Sequence, residues 1–135
     1  MPFVSITRLR LRSAWFLPGF AFYTARSRTQ SMQAGGYLAG TVLADARRAF
    51  WTMTLWLSEA DIRRFMTTAA HGRALPRLMR WCDEASVVNW TQDEEILPDW
   101  TEADRRMRAK GRPSKVLHPS PDHAGLTFAP ARRRP

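Results

Sequence analysis

The chain has 135 residues, with 21 Lys and Arg against 12 Asp and Glu, a net charge of +9 and a sequence pI of about 11.3. That length supports one hydrophobic core and excludes two. Cys82 is the only cysteine, so no intrachain disulfide forms and a reducing cytoplasm is the expected compartment.

The basic excess lies mostly before Gln92, where 12 Arg face five acids. Such a surface suits an anionic partner or is simply solvated, and nucleic-acid binding through Arg8, Arg10 and Arg12 ranks last among the readings. The apolar run AWFLPGFAFY imitates a signal peptide, but Pro18 and Gly19 interrupt it. At about ten residues it is also too short for a membrane span.

Phe3 to Arg12 alternates as a first strand, with Val4 and Ile6 on one face and Phe3, Leu9 and Leu11 on the other. Ser13 caps a helix reaching about Ala34, with Pro18 in its first turn and Phe16, Phe20, Tyr23 and Ser27 along one side; Gly35 and Gly36 end it. Tyr37 to Ala44 is a second strand, turned by Asp45 to Arg48 into a third. There Phe50, Thr52, Thr54 and Trp56 oppose Trp51, Met53, Leu55 and Leu57. Ser58 and Asp61 form an approximate capping box, and Ile62, Phe65, Met66 and Ala69 follow at helical spacing. Pro76 kinks or restarts the helix before Trp81. Ala85 to Gln92 is a fourth strand, with Val88 and Trp90 opposite Val87 and Asn89.

The expected fold is therefore α+β: a ferredoxin-like βαββαβ domain over residues 1–97, with a four-stranded antiparallel sheet and helices on one face. Residues 98–113 add a helix capped by Thr101, packing back through Trp100, Ala103 and Met107. Residues 114–135, rich in proline and ending in Arg132, Arg133 and Arg134, read as a disordered basic tail. The sheet face away from the helices is expected to be open and apolar, so a second copy should cover it, giving a homodimer.

No Gly-rich phosphate loop, GxSxG elbow, HExxH motif or metal-ligand spacing occurs. His71 lies just past the second helix, where an imidazole either caps the helix end or moves a proton. Trp56 and Phe65, with Trp51, Trp81 and Trp90, either fill the core or shape a pocket between sheet and helices. Arg8 either meets a ligand carboxylate or belongs to a solvated, edge-protecting row.

The run TMTLWLSEADIRRFMTTAAH, Thr52 to His71, resembles the W-x-S-x-x-x-x-x-x-F, small residues, H pattern of the dimeric α/β-barrel superfamily, which includes antibiotic biosynthesis monooxygenases. MRWCDEA and WTEADRRMRAKGRPS are similar to an uncharacterised bacterial family within that superfamily, more distantly related to spheroidene monooxygenase. The resemblance spans about Pro2 to Ser114 and rests on Trp56, Ser58, Phe65 and His71. It implies a homodimer holding a small, flat, aromatic or polyene-like ligand between sheet and helices. The activity implied is monooxygenation, with His71 as proton shuttle; the alternative is a non-catalytic ligand-binding or structural dimer. Ligand contacts would fall to Trp56, Phe65, Trp51, Trp81 and Arg8, and the cofactor is either none or haem. The quinone-forming members use an Asn and Trp pair; Trp56 matches the Trp, while the first strand here offers Ser5 and Thr7 and no Asn. In haem-degrading members the axial His falls nearer the position of Leu75 than of His71.

Overall fold

The computed structural model describes residues 1–45, 47–67 and 76–128. β1 (Phe3–Leu11) passes through a 3-10 turn (Ala14–Phe16) into α1 (Leu17–Met32), and β2 (Tyr37–Ala44) pairs with β3 (Ala49–Trp56) as a hairpin. α2 (Glu59–Met66) and α3 (residues 76–81) precede β4 (Cys82–Thr91), and α4 (Trp100–Lys110) and the two-residue β5 (Arg112–Pro113) follow. The strands lie in the order β2-β3-β1-β4-β5, and every pair is antiparallel. This is the ferredoxin-like arrangement, with β5 as a short fifth strand beside Ser86 and Val87.

Local chemistry sets the element ends. The Ser13 hydroxyl accepts the Trp15 N–H at 3.2 Å and opens the 3-10 turn. At the far end of α1 the chain turns at Gly36 with φ +89°, a left-handed conformation glycine adopts freely. The Asp61 carboxylate fills the space a Cβ would need there, and the Gly36 carbonyl accepts the Leu57 N–H at 2.8 Å, tying the end of α1 to the end of β3. Ser58 caps α2 by accepting the Asp61 N–H at 3.3 Å and donating its hydroxyl to Asp61 Oδ2 at 2.8 Å. The cap of α4 is Asp99, whose Oδ1 accepts the Glu102 N–H at 2.8 Å, rather than Thr101, which lies inside the first turn. A carboxylate is the better cap because it also complements the positive helix end.

The two faces of the sheet are covered in different ways. Val4 and Ile6 of β1, Trp51, Met53 and Leu55 of β3 and Val88 of β4 form the main core, closed by Ala103 and Met107 of α4 and by Phe128. Six of these, Val4, Ile6, Met53, Leu55, Ala103 and Met107, have no exposed surface within a single chain. The underside is thus not the open face the sequence suggested: α4 and Phe128 of the same chain lie over it.

Nor is the segment after Ser114 a disordered tail as far as Phe128. Leu117 N–H donates to the Met79 carbonyl and Ser120 N–H to the Asp83 carbonyl, both at 2.9 Å, and Ala85 N–H donates to His123 Nδ1 at 3.3 Å. The strap runs beside β4, satisfies backbone groups there, and ends by burying Phe128 to 3% exposure. Few apolar residues suffice when one large ring reaches the core.

Candidate functional site

The helix side of the sheet is built in four rows, read from the strand register. At one end Tyr37, Trp56, Phe3 and Thr91 lie side by side. At the other end come Ala44, Phe50, Leu9 and Ala85. Between them are two rows of different character: Gly40, Thr54, Ser5 and Asn89, then Val42, Thr52, Thr7 and Val87.

Each end row is roofed. Over the first, Ile62 and Phe65 of α2 pack on Phe3 and Trp56. The Trp56 and Phe65 rings stack at 5.4 Å, and Tyr37 meets Trp56 edge-on at 5.4 Å. Over the second, Phe20 of α1 lies 4.7 Å from Phe50, in a cluster with Leu11, Cys82, Leu78 and Trp81. Phe16 and Tyr23 each approach Trp81 to 6.0 Å. Gly19 permits this second wall, since a Cβ there would sit 2.8 Å from the Trp81 ring.

The middle rows are not filled in the same way. Thr52 and Asn89 are exposed, Val42 is 43% exposed, and Ser5, Thr7 and Thr54 carry hydroxyls rather than the aliphatic groups a closed core would use. The result is a partly exposed band of sheet, hereafter the trough, whose floor bears hydroxyls and an amide, with Ser5 nearly buried, between two aromatic clusters that strand spacing places about 20 Å apart. The Tyr37 hydroxyl occupies the space beside Gly40 that a Cβ would take, so a phenol borders the floor at the first wall. Trp56 is fully buried and its indole N–H has no acceptor among the described residues.

The predicted site residues separate into three places. Trp56 and Phe65 come together in the first wall, and Trp81 stands in the second. Arg8 and Trp51 lie on the opposite face: Arg8 donates to Glu84 at 2.6 Å, its guanidinium packs 5.9 Å from the Trp51 ring and 4.2 Å from the Phe128 ring, and it is 3% exposed. A ligand in the trough meets neither. Side chains alternate across a strand, so Arg8 and Ser5 belong to different faces. His71 lies outside the described residues.

Missed from sequence were Asn89 and Tyr37. Asn89 sits directly opposite Ser5, which puts an amide in the same row. The alternation of Val87 and Asn89 was visible; the pairing that sets Asn89 on the floor was not.

Among the described residues no group of three or more His, Cys, Asp or Glu is placed to hold a metal ion. The described floor presents no imidazole to haem, since His123 is engaged with Ala85 on the strap. Cys82, buried in the second wall, has its thiol pushed up to about 12, by burial first and then by the Asp83 charge, so the folded chain favours the neutral thiol. A separate surface cleft of about 400 Å³ lies between Trp90, Ile96, Leu97 and Arg106. Its guanidinium is already held by Glu102 at 2.7 Å and stacked 4.2 Å over Trp90, which leaves it poorly placed to take a ligand.

No protein-family model matches the sequence, and no curated protein does. Solved structures do match. SnoaB from Streptomyces nogalater, described as a cofactor-independent oxygenase, superposes with a TM-score of 0.60 at 15% identity, over 73% of this chain and 98% of that one. The chain carries the fold of the monooxygenase-like proteins. An antibiotic biosynthesis monooxygenase superposes with a TM-score of 0.61 at 14% identity, over 68% of this chain and 99% of its own. A conserved protein from Methanosarcina mazei gives 0.62 at 9% identity, over 69% and 94%. These structures are matched almost end to end, while roughly a third of this chain lies outside each match. No described helix of this chain is long and apolar enough to cross a membrane.

Proposed function

We propose that the protein binds a flat, mostly apolar ligand in the trough and oxygenates it without a bound cofactor. The observation that carries this reading is the two-row floor: Ser5, Thr7, Thr52, Thr54 and Asn89 offer hydroxyls and an amide between two aromatic walls. Such a lining suits a fused ring system with a few carbonyl or hydroxyl substituents, because polar groups fix its orientation while the walls exclude water. A hydroxylated anthrone-like ring fits the chemistry, since its own electrons reduce dioxygen once a proton is removed. One oxygen atom becomes a ring carbonyl and the other leaves as water. The likeness to SnoaB, a cofactor-independent oxygenase, supports the same reading.

Within this reading, Asn89 and the Thr54 hydroxyl hold a ring oxygen with the nearly buried Ser5 hydroxyl behind them, and Tyr37, backed by the buried Trp56, forms the end stop. His71 is assigned the proton transfer, a role that rests on the sequence. His71→Ala is expected to lower turnover by about 10²- to 10⁴-fold without weakening binding.

The experiment is a titration of the full chain with a hydroxylated anthrone, read by tryptophan quenching and by oxygen uptake above the spontaneous rate. Saturable binding with oxygen uptake, both lost in Thr52→Trp, which fills the centre of the floor, is the expected result. Binding without oxygen uptake assigns the trough to ligand carriage rather than catalysis. Absence of binding removes the proposal.

A further inference from the structure

α1 is apolar on two sides. Its inner side belongs to the second wall, through Phe20 and the Gly19 contact with Trp81. On its outer side Pro18, Phe22, Ala25, Thr29 and Met32 recur at i, i+4, i+7, i+11 and i+14 and remain in solvent, continued one turn earlier by Trp15. Trp15 is 85% exposed, Phe22 56% and Met32 57%. Single exposed apolar residues are ordinary on a protein surface; three large ones in line along a helix mark a surface with an occupant.

Cations frame the stripe. The Arg12 guanidinium lies 4.6 Å over Phe16, Arg26 lies 5.6 Å over Phe22, and Arg77 lies 4.6 Å over Tyr23. Arg28 is exposed on the same helix. No acidic residue occurs in the sequence before Asp45. A second copy packing α1 on α1 would therefore bring arginines to a surface with no carboxylate. Nucleic acid would satisfy the cations and leave Trp15, Phe22 and Met32 with no apolar environment. A bilayer surface bearing anionic lipid satisfies both sets of groups.

We propose that the outer face of α1 docks on an anionic lipid bilayer, with Trp15, Phe22 and Met32 entering the boundary between headgroups and acyl chains and Arg12, Arg26 and Arg28 meeting the lipid phosphates. This surface is distinct from the trough and does not depend on what the trough binds. A bilayer is also where a flat apolar ligand concentrates.

Flotation of the full chain with vesicles tests it, comparing phosphatidylcholine alone with vesicles carrying about 30% phosphatidylserine. The expected result is association with the anionic vesicles only, lost when salt rises from about 0.1 to 0.5 M. Each arginine near such a surface contributes about fivefold in affinity, so R26E/R28E is expected to bind at least tenfold more weakly. Phe22→Ser is expected to weaken binding to a similar extent while leaving the far-UV circular dichroism unchanged, because the side chain is exposed. Failure to float, or flotation that Phe22→Ser does not alter, overturns the proposal. So does a full-chain dimer in light scattering that Phe22→Ser dissolves, which assigns the stripe to a second copy. Binding to duplex DNA as tight as to the vesicles and indifferent to Phe22→Ser overturns it as well.

Discussion

Arg8 Nη1 donates to Glu84 Oε1 at 2.6 Å across neighbouring strands β1 and β4, with the two side chains only 4% and 7% exposed. The second oxygen of Glu84 accepts the Ser120 hydroxyl at 2.8 Å, and the Arg8 guanidinium is flanked by the Trp51 and Phe128 rings. A charge pair removed from water this far stabilises little by itself, yet losing one partner strands the other. Glu84→Leu is expected to lower unfolding stability by about 3–5 kcal/mol in urea titration. The double variant R8M/E84L is expected to recover most of that loss. Equal destabilisation in single and double variants would show that the pair is not coupled.

Phe128 holds the strap to the underside. Its ring meets Trp51 edge-on at 5.6 Å and lies under the guanidiniums of Arg8, at 4.2 Å, and Arg108, at 4.1 Å. Phe128→Ala is expected to cost about 3–5 kcal/mol, the usual range for removing a buried ring. Because the strap covers β4 and the core above it, limited proteolysis is expected to cut the variant between Ser114 and Phe128 well before the rest of the chain. Light scattering is expected to find the variant in larger assemblies than the parent chain, through the uncovered face.

The sequence made the first four strands legible because their apolar and β-branched runs stand between turn signals, and the faces of β3 follow the alternation closely. The capping box at Ser58 likewise sits where a local motif can place it. What stayed hidden depends on contacts far apart in the chain. Phe128 lies in a proline-rich stretch whose composition signals disorder, and only the distance it travels back to Trp51 gives it a place in the core. Arg8 shows the same limit in the other direction: a charged residue in an alternating strand reads as solvent-facing, and only the register to Glu84 and the strap above it bury the charge. The trough floor needed register too, since Asn89 meets Ser5 only after β4 is paired with β1.

Cys82 is fully buried between Leu11 and Phe20, and its thiol is pushed from an ordinary 9.0 up to about 12. The folded state therefore favours the protonated thiol. That contribution is complete below about pH 9 and is lost as pH rises toward 12. In native buffer at pH 8 the thiol is expected to resist a chromogenic disulfide reagent, and to react at once when the chain is unfolded in guanidinium. Rapid labelling of the native protein would mean that the second wall opens.

Asn89 offers the sharpest separation of fold from function, because it is exposed on the floor and, among the described residues, makes no hydrogen bond that supports the sheet beyond its own backbone pairing. Surface substitutions of this kind usually change stability by less than about 0.5 kcal/mol. A hydrogen bond to a ligand oxygen, by contrast, contributes about 0.5–1.5 kcal/mol, equivalent to roughly two- to tenfold in affinity. Asn89→Ala is therefore expected to leave the urea midpoint in place while weakening anthrone binding by that factor. Ser5→Ala, one strand away in the same row, is expected to act in the same direction. If both variants bind as the parent does, the ring oxygen is held elsewhere and the floor is only a passage beneath the helices.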